Sequence, residues 1–185
     1  MENSDWEFAE PYDYALAHGE KAEAGRIRKE YLDFTARVVP WYQKAARDLL
    51  GREPAFVFLL HASRLNSVSL DALAAILRKD HLHPVSLDRA MADPAYRIED
   101  DYAGPDGDEW LTRWSLALHK SLPYAELPLV SPGIAQFDAR VEAGWAAADS
   151  ASGAKLRSPR CCQRSKARQP EQRPADQRTN IRTSQ

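Results

Sequence analysis

The sequence has only two cysteines in 185 residues, and they are neighbours, Cys161 and Cys162. Adjacent cysteines cannot tie distant segments together, and neither has a Cys or His nearby at zinc-ligand spacing, so nothing points to disulfides or a structural zinc. Long apolar runs are also missing. The longest, Ala55 to Leu60, is six residues, against the roughly 18 that a membrane-spanning helix needs. The first residues, Met1-Glu2-Asn3-Ser4-Asp5-Trp6, have neither the basic start nor the apolar stretch of a secretory signal, so the expected location is the cytoplasm and no membrane partner is expected.

What the chain has is charge of both signs, unevenly placed. The net charge of −2 comes from 25 basic and 27 acidic residues, but residues 151–185 hold nine Lys/Arg against two Asp/Glu. The first 150 residues then hold 16 and 25, an acidic body of −9 followed by a basic tail of +7. The tail is rich in Arg, Gln, Ser and Pro, a composition that cannot bury enough surface to offset chain entropy, and it is expected to be disordered. Its abrupt start after about Gly153 is what a shifted reading frame produces. Nine cations favour sequence-independent binding to polyanions. No aromatic residue accompanies them for base stacking, so nucleic acid is not an expected partner.

Within the body, Trp6, Phe8, Tyr12, Ala15 and Leu16 predict a short helix ending before Gly19. Ile27, Tyr31, Phe34, Val38, Trp41, Ala45 and Leu49 step by three or four, predicting a long helix stopped by Gly51 and kinked at Pro40. The run Ala55-Phe56-Val57-Phe58-Leu59-Leu60, ending on His61, reads as a strand buried on both faces. Ser67 or Ser69 is placed to cap a helix carrying Leu70, Leu73, Ala74 and Leu77 on one face. His83 to Leu87 is a second strand candidate, with Ser86 capping a brief helix to Met91. The order strand, helix, strand implies parallel pairing in an α/β fold. Asp93 to Asp108 reads as a long loop, Trp110 and Trp114 mark another helix, and Pro132 starts a last one through Phe137, Val141 and Trp145.

Several short segments occur together in a suggestive order: Asp5-Trp6, then Phe58-Leu59-Leu60-His61, Arg64-Leu65-Asn66 and Leu70-Asp71-Ala72-Leu73. Val85-Ser86-Leu87-Asp88, Ala90 to Tyr96, Tyr102-Ala103-Gly104-Pro105 and Trp110 to Trp114 follow. Over roughly residues 1–114 they resemble the C-terminal part of the polysaccharide deacetylase family, the NodB-homology carbohydrate esterases. The resemblance implies the C-terminal portion of a distorted (β/α) barrel, with two parallel strands and several helices, over residues 1–120. A weakly patterned helical extension (121–150) and the disordered tail (151–185) would follow.

The resemblance also implies a function: removal of acetyl groups from N- or O-acetylated polysaccharide or oligosaccharide, with zinc or another divalent metal activating water. In the family a histidine at a strand end protonates the leaving group, and His61 matches it. An Asp-Trp pair supports that histidine and walls the acetyl pocket; Asp5 and Trp6 match it, and Leu60 joins the apolar wall. Glu2 stands where the motif D-x-x-D-W has its first Asp. The Thr-Phe-Asp-Asp, His-x-x-x-His and Arg-x-Pro-Tyr motifs are absent from the sequence, and with them the family's metal ligands and catalytic base. The expectation is therefore a fragment inactive by itself. The competing expectation is a non-catalytic interaction protein that complements a separately encoded N-terminal half. His81 and His83, two residues apart, are expected in an exposed loop rather than at a metal, and Trp110 and Trp114 in the core rather than at a sugar.

Overall fold

In the computed structural model, residues 1–100, 102 and 109–152 are described, with side chains as far as Trp145. Helix α1, Asp5–Ala17, buries Phe8, Tyr12 and Ala15, one row at helical spacing. Helix α2, Lys21–Leu50, is the axis of the molecule: its stripe from Ala24 and Ile27 through Tyr31, Phe34 and Val38 to Ala45 and Leu49 is buried along nearly the whole length. The helix continues through Pro40, flanked by the buried Val39 and Trp41. It stops at Gly51, whose left-handed backbone (φ 74°) lets its N–H close the last turn on the Arg47 carbonyl at 2.9 Å.

Helix α3, Arg64–Lys79, starts earlier than the sequence implies. Ser63, rather than Ser67 or Ser69, is the cap, its hydroxyl accepting the Asn66 N–H at 3.1 Å. The buried row is consequently Leu65, Ser69 and Leu73, four residues apart, and Leu70 is left 58% exposed. Ser69 pairs with the Arg28 guanidinium at 3.1 Å, which lets a polar residue occupy the buried row. The short α4, Leu87–Met91, is capped by Ser86 as expected, and a 3-10 turn, Pro94–Arg97, follows it. Helix α5, Trp110–Ala117, and α6, Pro132–Ser152, complete the molecule, with a second 3-10 turn, Tyr124–Glu126, between them.

The helices pack around α1 and α2: α1 touches α2, α3 and α6, and α2 also touches α3 and α5. Trp114 lies edge-on to Tyr96 with ring centroids 5.2 Å apart, and Trp110 meets Tyr96 at the same separation, so both indoles belong to the packing around the 3-10 turn. Two long-range bonds tie the segment after α5 to α2: Trp41 Nε1 donates to the Pro123 carbonyl at 3.1 Å and Lys120 Nζ to the Leu49 carbonyl at 2.9 Å. In α6, Ile134, Asp138 and Val141 are buried.

The expected α/β barrel portion is not what forms. Among the described residues there is no strand and no sheet; the fold is helical. Residues 55–61 lack helical structure, as the sequence suggests, but no second strand accompanies them. Side chains and the chain start take that place: Ala55 N–H donates to Asp93, Val57 N–H to the Tyr96 hydroxyl, and Leu59 N–H to the Met1 carbonyl. The second strand candidate, His83 to Leu87, is exposed throughout. Its Pro84 has no N–H to donate, and no backbone bond joins it to residues 55–61. A strand is defined by its partner, and partner choice is a long-range matter that apolar runs do not encode. The expected disordered tail lies outside the described residues apart from Ala151 and Ser152, which end α6.

Candidate functional site

At Ser4 the backbone is left-handed (φ 49°), just before α1 begins. Asn3 and Asp5, on either side of it, are both buried, Asp5 to 1% exposure. The extended run brings His61 to the same place. Its Nδ1 lies 2.7 Å from Asp5 Oδ1, and its main-chain N–H donates to Asp5 Oδ2, also at 2.7 Å. The Asn66 side-chain amide, from the first turn of α3, donates to Asp5 Oδ2 and to the His61 carbonyl, the latter at 2.9 Å. A carboxylate can only accept, so Nδ1 is the donor and Nε2 is left as the ring's other polar atom. The imidazole side chain is 22% exposed, against 1% for its carboxylate partner.

Behind this pair runs a directed chain of hydrogen bonds from α2. Asn3 Nδ2 donates to the Tyr31 hydroxyl at 2.7 Å and to Thr35 Oγ1 at 3.1 Å, and Tyr31 donates to Asn66 Oδ1 at 2.6 Å. Thr35 in turn donates to the Tyr31 carbonyl at 2.9 Å. The chain fixes the Asn66 amide and, through it, the Asp5 carboxylate, and leaves the buried Asn3 Oδ1 without a partner among the described residues. Burial pushes the Tyr31 phenol well above its ordinary value, with the Asp5 charge acting in the same direction, so the hydroxyl stays a donor.

Of the four residues singled out from sequence, the structure brings His61 and Asp5 into direct contact. Trp6 follows Asp5 on α1, half-buried, with its indole N–H turned to Glu2 Oε1 at 3.3 Å. Leu60 precedes His61 and packs partly against the core. Sequence reading missed the roles of Asn3, Tyr31, Thr35 and Asn66. One signal was present: Thr35 is polar yet lies four residues from Tyr31 on the apolar stripe of α2, where a buried hydroxyl needs partners.

Among the described residues no group of three or more His, Cys, Asp or Glu side chains is placed to hold a metal ion. His81 and His83 are both exposed, and Cys161 and Cys162 lie outside the described residues. The residues around His61 therefore do not fit a zinc site. A groove of about 680 Å³ lies elsewhere, between α1, the start of α2 and α6, lined by Tyr14, Glu20, Arg26, Phe137 and Arg140 among others. None of the site residues contributes to it. No helix among the described residues is long and apolar enough to cross a membrane.

The chain matches no family model, no curated protein and no solved structure.

Proposed function

We propose that this chain supplies the leaving-group acid of a carbohydrate deacetylase: a histidine half-site for N- or O-acetylated polysaccharide or oligosaccharide, inactive by itself. The observation that carries the reading is the His61–Asp5 pair, in which a buried carboxylate fixes the tautomer and orientation of a partly exposed imidazole. Loss of an acetyl group from an amine or alkoxide requires a proton on the departing atom, and a histidine held this way donates one from Nε2. The Asn66 amide and the His61 main chain hold the carboxylate, so the imidazole keeps its aim as its charge changes. Activation of the water is a separate requirement, met in such chemistry by a metal or a base. The described residues offer no ligand set for it, so the proposal is confined to the acid.

Acetate release and nuclear magnetic resonance together test the reading. The purified chain with added zinc should release no acetate from chitooligosaccharide or acetylated xylan. The same ligands should shift the His61 ring and Trp6 indole resonances, and the His61 shift should disappear in Asp5→Asn. If neither ligand moves either resonance, the carbohydrate assignment is wrong. Zinc-dependent acetate release would show that the chain contains its own water-activating site.

A further inference from the structure

Among the described residues, the extended run from Ala55 to His61 uses only one of its two backbone edges. Successive residues of an extended chain point their N–H and C=O groups to opposite sides. On one side all groups from Ala55 to Leu59 that have partners are those of odd-numbered residues. Asp93 and the Tyr96 hydroxyl serve Ala55, Tyr96 and the Met1 amine serve Val57, and the Met1 carbonyl accepts from Leu59 at 3.0 Å. On the other side are Phe56, Phe58 and Leu60. Their N–H and C=O groups have no hydrogen-bond partner among the described residues. None of residues 55–60 is buried, and Leu59 is 50% exposed.

Unpaired main-chain groups at two-residue spacing beside the exposed Leu59 side chain specify the ligand as an extended polypeptide. We propose that the occupant is the same edge of a second copy of this chain, paired antiparallel about a two-fold axis at Phe58. In that register Phe58 faces Phe58 and Phe56 faces Leu60, so every free N–H finds a free C=O and none is left over. Val57 of one copy then lies across from Leu59 of the other, covering the exposed leucine. No charged residue lies between Pro54 and Leu60, so the run meets its own copy without like-charge contact. The chain turns after His61, where the Ser63 N–H bonds the His61 carbonyl at 2.9 Å, so the pairing ends there. Such a contact is isologous and closes at two copies. Ala55 of the second copy lies across from His61, so the seam borders the His61–Asp5 pair.

Sedimentation velocity over a wide concentration range, with residue-resolved amide exchange, tests this. The expected result is a reversible change from the 20.8 kDa chain to twice that mass. The amides of Phe56, Phe58 and Leu60 should slow with the dimer fraction, by about tenfold or more where the dimer dominates. Leu59→Lys, at a half-exposed position outside the core, should keep the circular dichroism spectrum and weaken the dimer about tenfold or more. A chain that stays monomeric into the millimolar range overturns the proposal. So does a dimer in which the three amides exchange at the monomer rate. Protection of these amides in the monomer would assign the edge to another segment of the same chain, and would overturn it too.

Discussion

Asp5, at the start of α1, holds the junction of three segments, because the extended run places two donors on its carboxylate and α3 a third. Asp5→Ala strands the His61 main-chain N–H and the Asn66 amide in a buried site, and should cost about 3 kcal/mol of stability. His61→Ala should cost only about 1 kcal/mol, since the ring is partly exposed and Asp5 keeps its other two donors. Urea unfolding of both variants checks the order. A larger loss for His61→Ala would mean that the ring, not the carboxylate, organises the junction. At this scale the contact of His61 with Asp5 was expected from two short segments. Their supports were not, because Asn3, Tyr31 and Thr35 acquire a role only when α2 lies against the chain start, some thirty residues away in sequence.

For whole elements, helices could be read wherever one apolar stripe and a stop signal agreed. Gly51 ends α2 with φ 74°, and a Cβ there would meet nothing within 4 Å. Gly51→Ala should therefore lose about 1 kcal/mol for conformational reasons alone, a loss visible as a lower thermal midpoint. No loss would show that the end of α2 relaxes at no expense. Helix α3 was legible as a helix but not in its start, because Ser63, Ser67 and Ser69 are all competent caps and only the burial of Leu65 selects the first. The two strand candidates failed for a different reason. A helix satisfies its backbone locally, whereas an extended segment needs groups from elsewhere. For residues 55–59 those groups are a carboxylate, a phenol and the main chain of Met1.

Across the molecule, the buried phenols set an alkaline limit. Burial is the main cause of the raised values of Tyr31 and Tyr42, and the charge of Glu109 adds to it at Tyr42. Unfolded tyrosines lose their protons near pH 10 (roughly) while these two keep theirs, so the unfolded state binds fewer protons and stability falls as pH rises above that value. Below it the two groups contribute no pH dependence. In an alkaline titration followed by phenolate absorbance, two of the seven tyrosines should ionise only together with the loss of helical circular dichroism. Ionisation of all seven in one early step would show that the two phenols reach solvent without unfolding. By itself the sequence determined the amphipathic helices, the Gly51 stop and the Ser86 cap, since each depends on spacing of a few residues. The tertiary structure alone decided that, among the described residues, the apolar run 55–60 has no strand beside it and that Asn66 and Tyr31 support Asp5. Both outcomes depend on which distant groups reach a backbone or a carboxylate, and local spacing carries no record of that.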